Sequence, residues 1–219
     1  MNEVIPICIF AKPPVAGKAK TRLIAELGGE AAADLASAML RDVWRAASCC
    51  INVRPILAAG EAGEFPLEIS EEDIWLQGEG DLGERLETIL RRGLATAPAA
   101  IALGADSPLV APAQIEQALA ALETHDAAMG PCADGGFYLL ALKRCPTGLF
   151  RDLPWSCAET FESTKERLEQ NDFAVEILTP LFDVDTAEDL ALLGSLLGES
   201  PELAPATRAW HKQYRLRCA

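Results

Sequence analysis

The sequence predicts an α/β protein, a three-layer α/β/α sandwich built on a mostly parallel, Rossmann-like sheet. Apolar runs of strand length alternate with amphipathic helices along most of the chain, the pattern of a parallel sheet covered on both faces. The first run, Val4–Phe10, is nearly all apolar and rich in β-branched residues, as expected of a strand buried on both sides. The run Ile101–Gly104 is followed almost at once by Asp106, which places a carboxylate at the carboxyl end of a strand, the edge where open α/β sheets bind ligands.

Taken in order, strand Val4–Phe10 leads into Ala11–Arg22, a loop with four cations (Lys12, Lys18, Lys20, Arg22) and no acid. In a chain of net charge −14 this is a local reversal of sign. Such a loop can hold phosphates with backbone N–H groups and basic side chains, or can be simply a solvated basic surface. It is not a Walker A loop, because Lys12 stands five before Gly17 where a glycine belongs and Ala19 replaces the Ser/Thr. Glu30–Ser48 reads as a helix with Leu35, Met39, Leu40, Val43 and Trp44 on the core face and Arg41, Asp42 and Arg45 away from it. Val53–Ala59 is a strand, Gly60–Pro66 a loop and Ile74–Leu76 a short strand.

The segment Gln77–Arg85 contains a G-x-G-x-x-G match, with a helix predicted over Leu82–Ala97 and a further strand ending near Asp106. A dinucleotide-binding oxidoreductase would show this spacing. Glu79 and Asp81, however, stand where a pyrophosphate would approach, and the match lies outside the first βα unit. Ser107-Pro108 then ends the strand, since proline lacks an N–H and turns the preceding residue away from helix. Asp106 taken alone also suits a turn.

Pro112–Glu123 is a helix with proline in its first turn and Ile115, Leu119 and Leu122 inward. Asp126–Gly130 and Phe137–Leu142 are strands, and Asp134-Gly135 between them is a hairpin signal as well as a candidate functional turn. A helix over Ala158–Gln170 and a strand over Phe173–Leu178 follow. Asp185 or Thr186 suits the cap of a helix reaching about Leu197, with Asp189 in its first turn, so Asp185 is a cap or a functional residue.

Residues 1–198 are expected to form one domain. The tail 199–219, broken by Pro201 and Pro205 and basic at Arg208, Lys212, Arg215 and Arg217, is expected to pack on that domain or on a second subunit, which leaves a homo-oligomer open.

Half of the 219 residues are apolar, ordinary for a globular chain, and the net charge of −14 would repel a nucleic-acid backbone. Seven cysteines without a C-x-x-C pair or a Cys/His cluster fit reduced thiols, and the two histidines, His125 and His211, stand far in sequence from other candidate ligands. The opening apolar run is too short to span a membrane and lacks the features of a secretory signal, so the expected compartment is the cytoplasm.

Five ordered segments, FAKPPVAGKAKTRL (10–23), QGEGDLGERL (77–86), LGADSPL (103–109), GPCADGGFYLLAL (130–142) with PWS (154–156), and FDVDTAEDL (182–190), together resemble one family. These are the bacterial GT-A-fold transferases described as glycosyltransferases of arsenosugar biosynthesis or of radical-enzyme gene neighbourhoods. More distantly, Lys20-Thr21-Arg22-Leu23 resembles the phosphate-binding segment of 2-phospholactate guanylyltransferases, and Val184-Asp185-Thr186 is similar to the metal-binding turn of CMP-Kdo synthetases.

The resemblance implies a nucleotide-diphospho-sugar transferase fold and a metal-dependent reaction of a nucleotide sugar, or a nucleoside triphosphate, with a small-molecule acceptor. It implies Asp106 and Asp185 as ligands of Mg2+ or Mn2+. It further implies Lys12, Gly17, Lys20, Arg22, Gln77, Gly83 and Asp106 on the nucleotide side. Asp134, Gly135, Gly136 and Trp155 fall on the acceptor or sugar side, with Asp106, Asp134 and Lys20 as the catalytic set. Cys132 and Cys157 depart from the family pattern on the acceptor side. The chemistry is coherent: a departing nucleoside diphosphate or pyrophosphate gathers negative charge, which a hard cation on carboxylate oxygens and nearby Lys and Arg neutralise. No histidine is placed for general-base work, so a base would be a carboxylate such as Asp134. Glycosyl transfer is the first reading, nucleotidylyl transfer the second and non-catalytic nucleotide binding the third.

Overall fold

Strand β1 (Ile5–Ala11) holds the middle of the sheet, where its alternate side chains Ile7 and Ile9 on one face and Cys8 on the other are all fully buried. The computed structural model describes residues 4–200 and 202–218. After β1 come a single 3-10 turn, helix α1 (Ile24–Leu27), helix α2 (Gly29–Ser48), β2 (Val53–Ala59) and β3 (Ile74–Leu76). Then follow α3 (Leu82–Leu94), β4 (Ala100–Gly104), α4 (Pro112–Thr124), β5 (Ala127–Pro131) and β6 (Phe137–Leu142). The chain closes with α5 (Thr160–Gln170), β7 (Val175–Ile177), α6 (Ala187–Glu199) and α7 (Pro205–Cys218).

The seven strands are ordered β3-β2-β1-β4-β6-β5-β7, parallel throughout except for β6, which runs antiparallel to both β4 and β5. The chain moves outward from β1 through β2 to β3, then returns to place β4 on the opposite side of β1. Loops leaving β1 and β4 therefore diverge, and a crevice opens between them at the carboxyl edge. One face of the sheet packs Ile101, Leu103 and Leu139 against Leu40 and Val43 of α2 and Ile115 and Leu122 of α4. The other packs Ala102, Met129, Leu140 and Leu142 against Leu86 and Leu90 of α3 and Leu168 of α5.

Several boundaries differ from the sequence expectation. Helix α3 stops at Leu94, with Ala95 and Thr96 closing its last turn before Pro98, and does not continue to Ala97. The last strand keeps only Val175–Ile177, because it is an edge strand paired to β5 at three positions, while Phe173 is buried beneath the Arg144 guanidinium. Helix α5 starts at Thr160, whose hydroxyl is turned to the Pro154 carbonyl.

Asp42 does not stand on the solvent face. It is 5% exposed and its two carboxylate oxygens accept from Ala206 N (2.9 Å) and Thr207 N (2.7 Å), capping the N-terminus of α7 from outside that helix. The tail is thus a regular helix lying along α2. Its Trp210 enters a cluster with Leu35, Met39, Leu193 and Leu197 that also buries Leu23 and Val184, two residues flanking the crevice.

Candidate active site

The residues of the basic loop and of the two acidic turns meet at the β1/β4 crevice. A cleft of about 560 Å³ opens there, walled by Lys12, Lys18, Lys20, Arg22, Gln77, Arg85, Asp106, Ser156 and Asp185, among others. A larger hollow of about 720 Å³ lies between α3 and residues 147–152, but its polar groups are engaged with one another: Glu87 accepts from Gly148 N, and Arg91 meets both Thr147 and Glu87.

Lys20 organises the cleft. Its backbone is left-handed (φ 46°, ψ 49°), unusual for a residue with a Cβ, and its side chain is only 5% exposed. The ammonium lies 2.6 Å from Asp106 Oδ1 and 3.6 Å from Asp185 Oδ1, and donates to the Val184 carbonyl at 2.7 Å. Val184 N in turn donates to the Asp106 carbonyl at 3.0 Å, tying the second acidic turn to the end of β4. Arg22 Nη1 reaches Asp185 Oδ2 at 2.8 Å from the solvent side.

Asp185 is not the helix cap. Thr186 caps α6, taking Asp189 N on its hydroxyl, and Asp189 Oδ2 accepts from Thr186 N at 2.7 Å and Asp185 N at 3.0 Å. The Asp185 carboxylate is thereby left to face Lys20 and Arg22. Asp106 and Asp185 offer hard oxygen donors that already converge on one cation, the Lys20 ammonium, and this donor set fits Mg2+ or Mn2+.

Gln77 lines the cleft although only 5% exposed, and its Nε2 donates to the Ala58 carbonyl at 2.7 Å, which directs its carbonyl oxygen toward Gly60. Lys12 also lines the cleft. Gly17 does not; it makes a positive-φ turn (80°) whose backbone packs against Gly29 at the start of α2. Gly83 is a packing position, since a Cβ there would lie 2.7 Å from the Phe150 carbonyl and 2.9 Å from the Trp155 ring. The amides of the G-x-G-x-x-G turn are served from within: Asp81 and Glu84 form a reciprocal capping box, with Asp81 N to Glu84 Oε2 at 3.0 Å, which fills the place a pyrophosphate would take.

The acceptor-side candidates gather at the β5–β6 hairpin, beside the cleft. Asp134 Oδ1 accepts from Gly136 N at 2.8 Å, a turn-forming bond, and Gly135 takes φ 87° against Ala158. Trp155 is wedged edge-on between Phe137 and Phe150, and its Nε1 has no partner among the described residues. Cys132 Sγ and carboxylate oxygens of Asp134 and Asp183 lie within 4.8 Å of one another. Burial first, then the Asp134 carboxylate, pushes Asp183 up to about 6, and burial pushes the Cys132 thiol up to about 12.

Three cleft or cleft-edge residues were given no role by the sequence reading, Arg85, Ser156 and Asp183, while Lys18 was read only as one of the basic loop's cations. Arg85 carries the clearest signal, a lone cation inside the acidic segment GEGDLGER, and its Nε is buried without a partner among the described residues. Lys18 and Lys12 likewise make no ion pair among the described residues, whereas Lys20 and Arg22 are held by carboxylates.

No curated protein sequence matches the chain. Among solved structures, a candidate nucleotide-diphospho-sugar transferase from Desulfovibrio desulfuricans G20 is 26% identical with a TM-score of 0.82, covering 97% of this chain and 98% of that one. CMP:2-keto-3-deoxy-manno-octonic acid synthetase complexed with CTP shares the fold at 15% identity and TM-score 0.54, covering 90% of this chain and 99% of that one. So does 4-diphosphocytidyl-2C-methyl-D-erythritol synthase from Anaerococcus prevotii DSM 20548, at 12% identity and TM-score 0.52, covering 90% of this chain and 100% of that one. Residues 52–157 match the family described as "Uncharacterized protein conserved in bacteria (DUF2064)", and the chain around that segment has the α/β fold of nucleotide-diphospho-sugar transferase structures.

Proposed function

We propose that the chain is a metal-dependent transferase that uses a nucleotide-activated donor, first of all a nucleotide sugar passed to a small-molecule acceptor. The observation that carries this reading is the composition of one cleft: Lys12, Lys18 and Arg85, which make no ion pair among the described residues, beside a convergent pair of carboxylates, in a chain of net charge −14. Free cations in an otherwise acidic protein suit a di- or triphosphate, and the paired carboxylates suit a hard divalent ion on it.

In this reading Asp106 and Asp185 hold Mg2+ or Mn2+, which when bound neutralises charge on the donor phosphates. Lys12, Lys18 and Arg85 receive the phosphate oxygens, and Gln77 offers its carbonyl to a base. Gly17 and Gly83 shape the loop and the α3 packing beneath the nucleotide. Asp134, Gly135, Gly136 and Trp155 form the wall on the acceptor side, with Asp134 or its neighbour Asp183 able to accept a hydroxyl proton. Residues 1–198 act as the catalytic domain and α7 buttresses it through Trp210. The six free cysteines among the described residues fit a reducing compartment such as the cytoplasm, and no described helix is long and apolar enough to cross a membrane.

Nucleotidylyl transfer is the second reading, supported by the shared fold of the CTP-bound synthetase. The two differ in product: glycosyl transfer releases a nucleoside diphosphate, nucleotidylyl transfer pyrophosphate. A thermal-shift screen of nucleotides and nucleotide sugars with and without Mn2+ identifies the donor, because specific binding raises apparent stability by mass action. Product analysis with that donor then separates the reactions. A chain that no nucleotide or nucleotide sugar stabilises, with or without metal, contradicts both.

A further inference from the structure

We propose that Lys20 is a resident counter-cation in the metal position, which a divalent ion must displace before Asp106 and Asp185 can hold it. The inference rests on the assignment of those two carboxylates as metal ligands. It adds that the chain's own ammonium competes with metal for the apo cleft, which therefore binds the ion only weakly without a nucleotide.

The placement is built, not incidental. The ammonium nitrogen has three oxygen neighbours, two at hydrogen-bond distance (Asp106 Oδ1 at 2.6 Å and the Val184 carbonyl at 2.7 Å) and Asp185 Oδ1 at 3.6 Å as an ion pair. The Val184 carbonyl is a fixed hook, because the Val184 side chain is fully buried and its N–H is bonded to the Asp106 carbonyl. The left-handed backbone at Lys20 and the fully buried Leu23 three residues on hold the root of the side chain in place. With its side chain 5% exposed and its nitrogen held by Asp106 and the Val184 carbonyl, Lys20 is committed to the carboxylates while the cleft is empty.

Charge balance gives the consequence. Lys20 and Arg22 offset Asp106 and Asp185, so the quartet is neutral as it stands. A divalent ion entering alone would leave two surplus positive charges on the group. The flexible four-carbon stem of Lys20 lets the ammonium leave the carboxylates, but it then needs another anion. Donor phosphates in the same cleft supply it. Ion and nucleotide therefore bind as a coupled pair, each strengthening the other by the same factor, as linkage requires. Arg22, which meets only Asp185 and from the solvent side, shares this role weakly.

The test titrates Mn2+ alone, without nucleotide, into the full chain and into Lys20→Met, Lys20→Gln, Arg22→Gln and Asp106→Asn. Calorimetry and the electron paramagnetic resonance signal of free Mn2+ provide the readouts. Lys20→Met keeps the apolar stem and Lys20→Gln keeps a polar end, so two variants guard against a folding defect in one. Both are expected to bind Mn2+ about tenfold or more tightly than the wild type, within the usual range of site-to-site coupling. Arg22→Gln is expected to gain less, and Asp106→Asn to lose binding.

A merely structural ion pair would give no such gain. If both Lys20 variants unfold cooperatively yet bind Mn2+ no better than wild type, while Asp106→Asn loses it, the displacement idea is overturned and the metal assignment stands. If Asp106→Asn binds Mn2+ as the wild type does, the metal assignment itself fails, and this inference with it.

Discussion

Lys20 Nζ lies 2.6 Å from Asp106 Oδ1, although one residue ends the loop after β1 and the other follows β4. The contact joins the two segments that diverge at the switch point of the sheet, and it leaves a buried ammonium dependent on a carboxylate that is 59% exposed. Asp106→Asn keeps the shape and removes the charge. It is expected to destabilise the metal-free chain by about 1–2 kcal/mol, because Lys20 keeps Val184 and Asp185 and the lost partner is partly screened by water. Urea denaturation without divalent ions measures this.

Arg85 makes no ion pair among the described residues, and its buried Nε has no hydrogen-bond partner there. Arg85→Ala is expected to leave the free energy of unfolding in urea within about 0.5 kcal/mol of wild type, because its buried Nε has no hydrogen-bond partner to lose among the described residues. The same change should weaken nucleotide binding about tenfold or more, the worth of one charge-assisted hydrogen bond. Calorimetric titration of the donor found by the thermal-shift screen provides the check.

Gly83→Ala separates packing from recognition. A Cβ would sit 2.7 Å from the Phe150 carbonyl and 2.9 Å from Trp155, so α3 must shift. The expected cost is about 1–3 kcal/mol of stability by overpacking. Full stability with lost nucleotide binding would instead place Gly83 in direct contact with the ligand.

Much of the fold was legible in the chain because strand burial and helix amphipathicity are written as periodicity. Both faces of β1 and β4 are core, and Leu35, Met39, Leu40 and Val43 of α2 are inward as their spacing requires. The antiparallel insertion of β6 between β4 and β5 was not legible, since local pattern does not fix strand order. Asp42 was misplaced for a similar reason: a buried carboxylate is explained only by the α7 N-terminus that it caps from 164 residues away. At the site, acidic turns and basic loop announced themselves by residue type. That Lys20 and Arg22 grip carboxylates while Lys18 and Arg85 make no ion pair among the described residues depends on backbone geometry, above all the left-handed Lys20, which no composition encodes.

Asp42 and α7 yield a stability prediction. Asp42→Ala leaves two helix N–H groups unpaired, one half-buried at Ala206 and one buried at Thr207, and is expected to cost about 2 kcal/mol, with loss of protection at both in hydrogen exchange. Unchanged protection there would contradict the cap.

His211, against Gly194 of α6, makes that packing sensitive to pH. Burial, then the Arg215 and Arg208 charges, holds its pKa below the ordinary value of 6.5. The fold therefore favours the neutral ring. Its contribution is fully present above pH 6.5 and is lost as pH falls through the lowered folded value. His211→Gln should remove this part of the slope, so the stability difference between wild type and variant should narrow or reverse between pH 7 and pH 5. A difference independent of pH over that range would contradict it.

In the proposed function, one cleft binds a nucleotide donor through a metal held by Asp106. Calorimetric titration of the identified donor into wild type and Asp106→Ala, with Mn2+ and with chelator, tests it directly. The expected result is Mn2+-dependent binding by the wild type and loss of the Mn2+-dependent part in the variant. Equal, Mn2+-dependent binding by both proteins would contradict it.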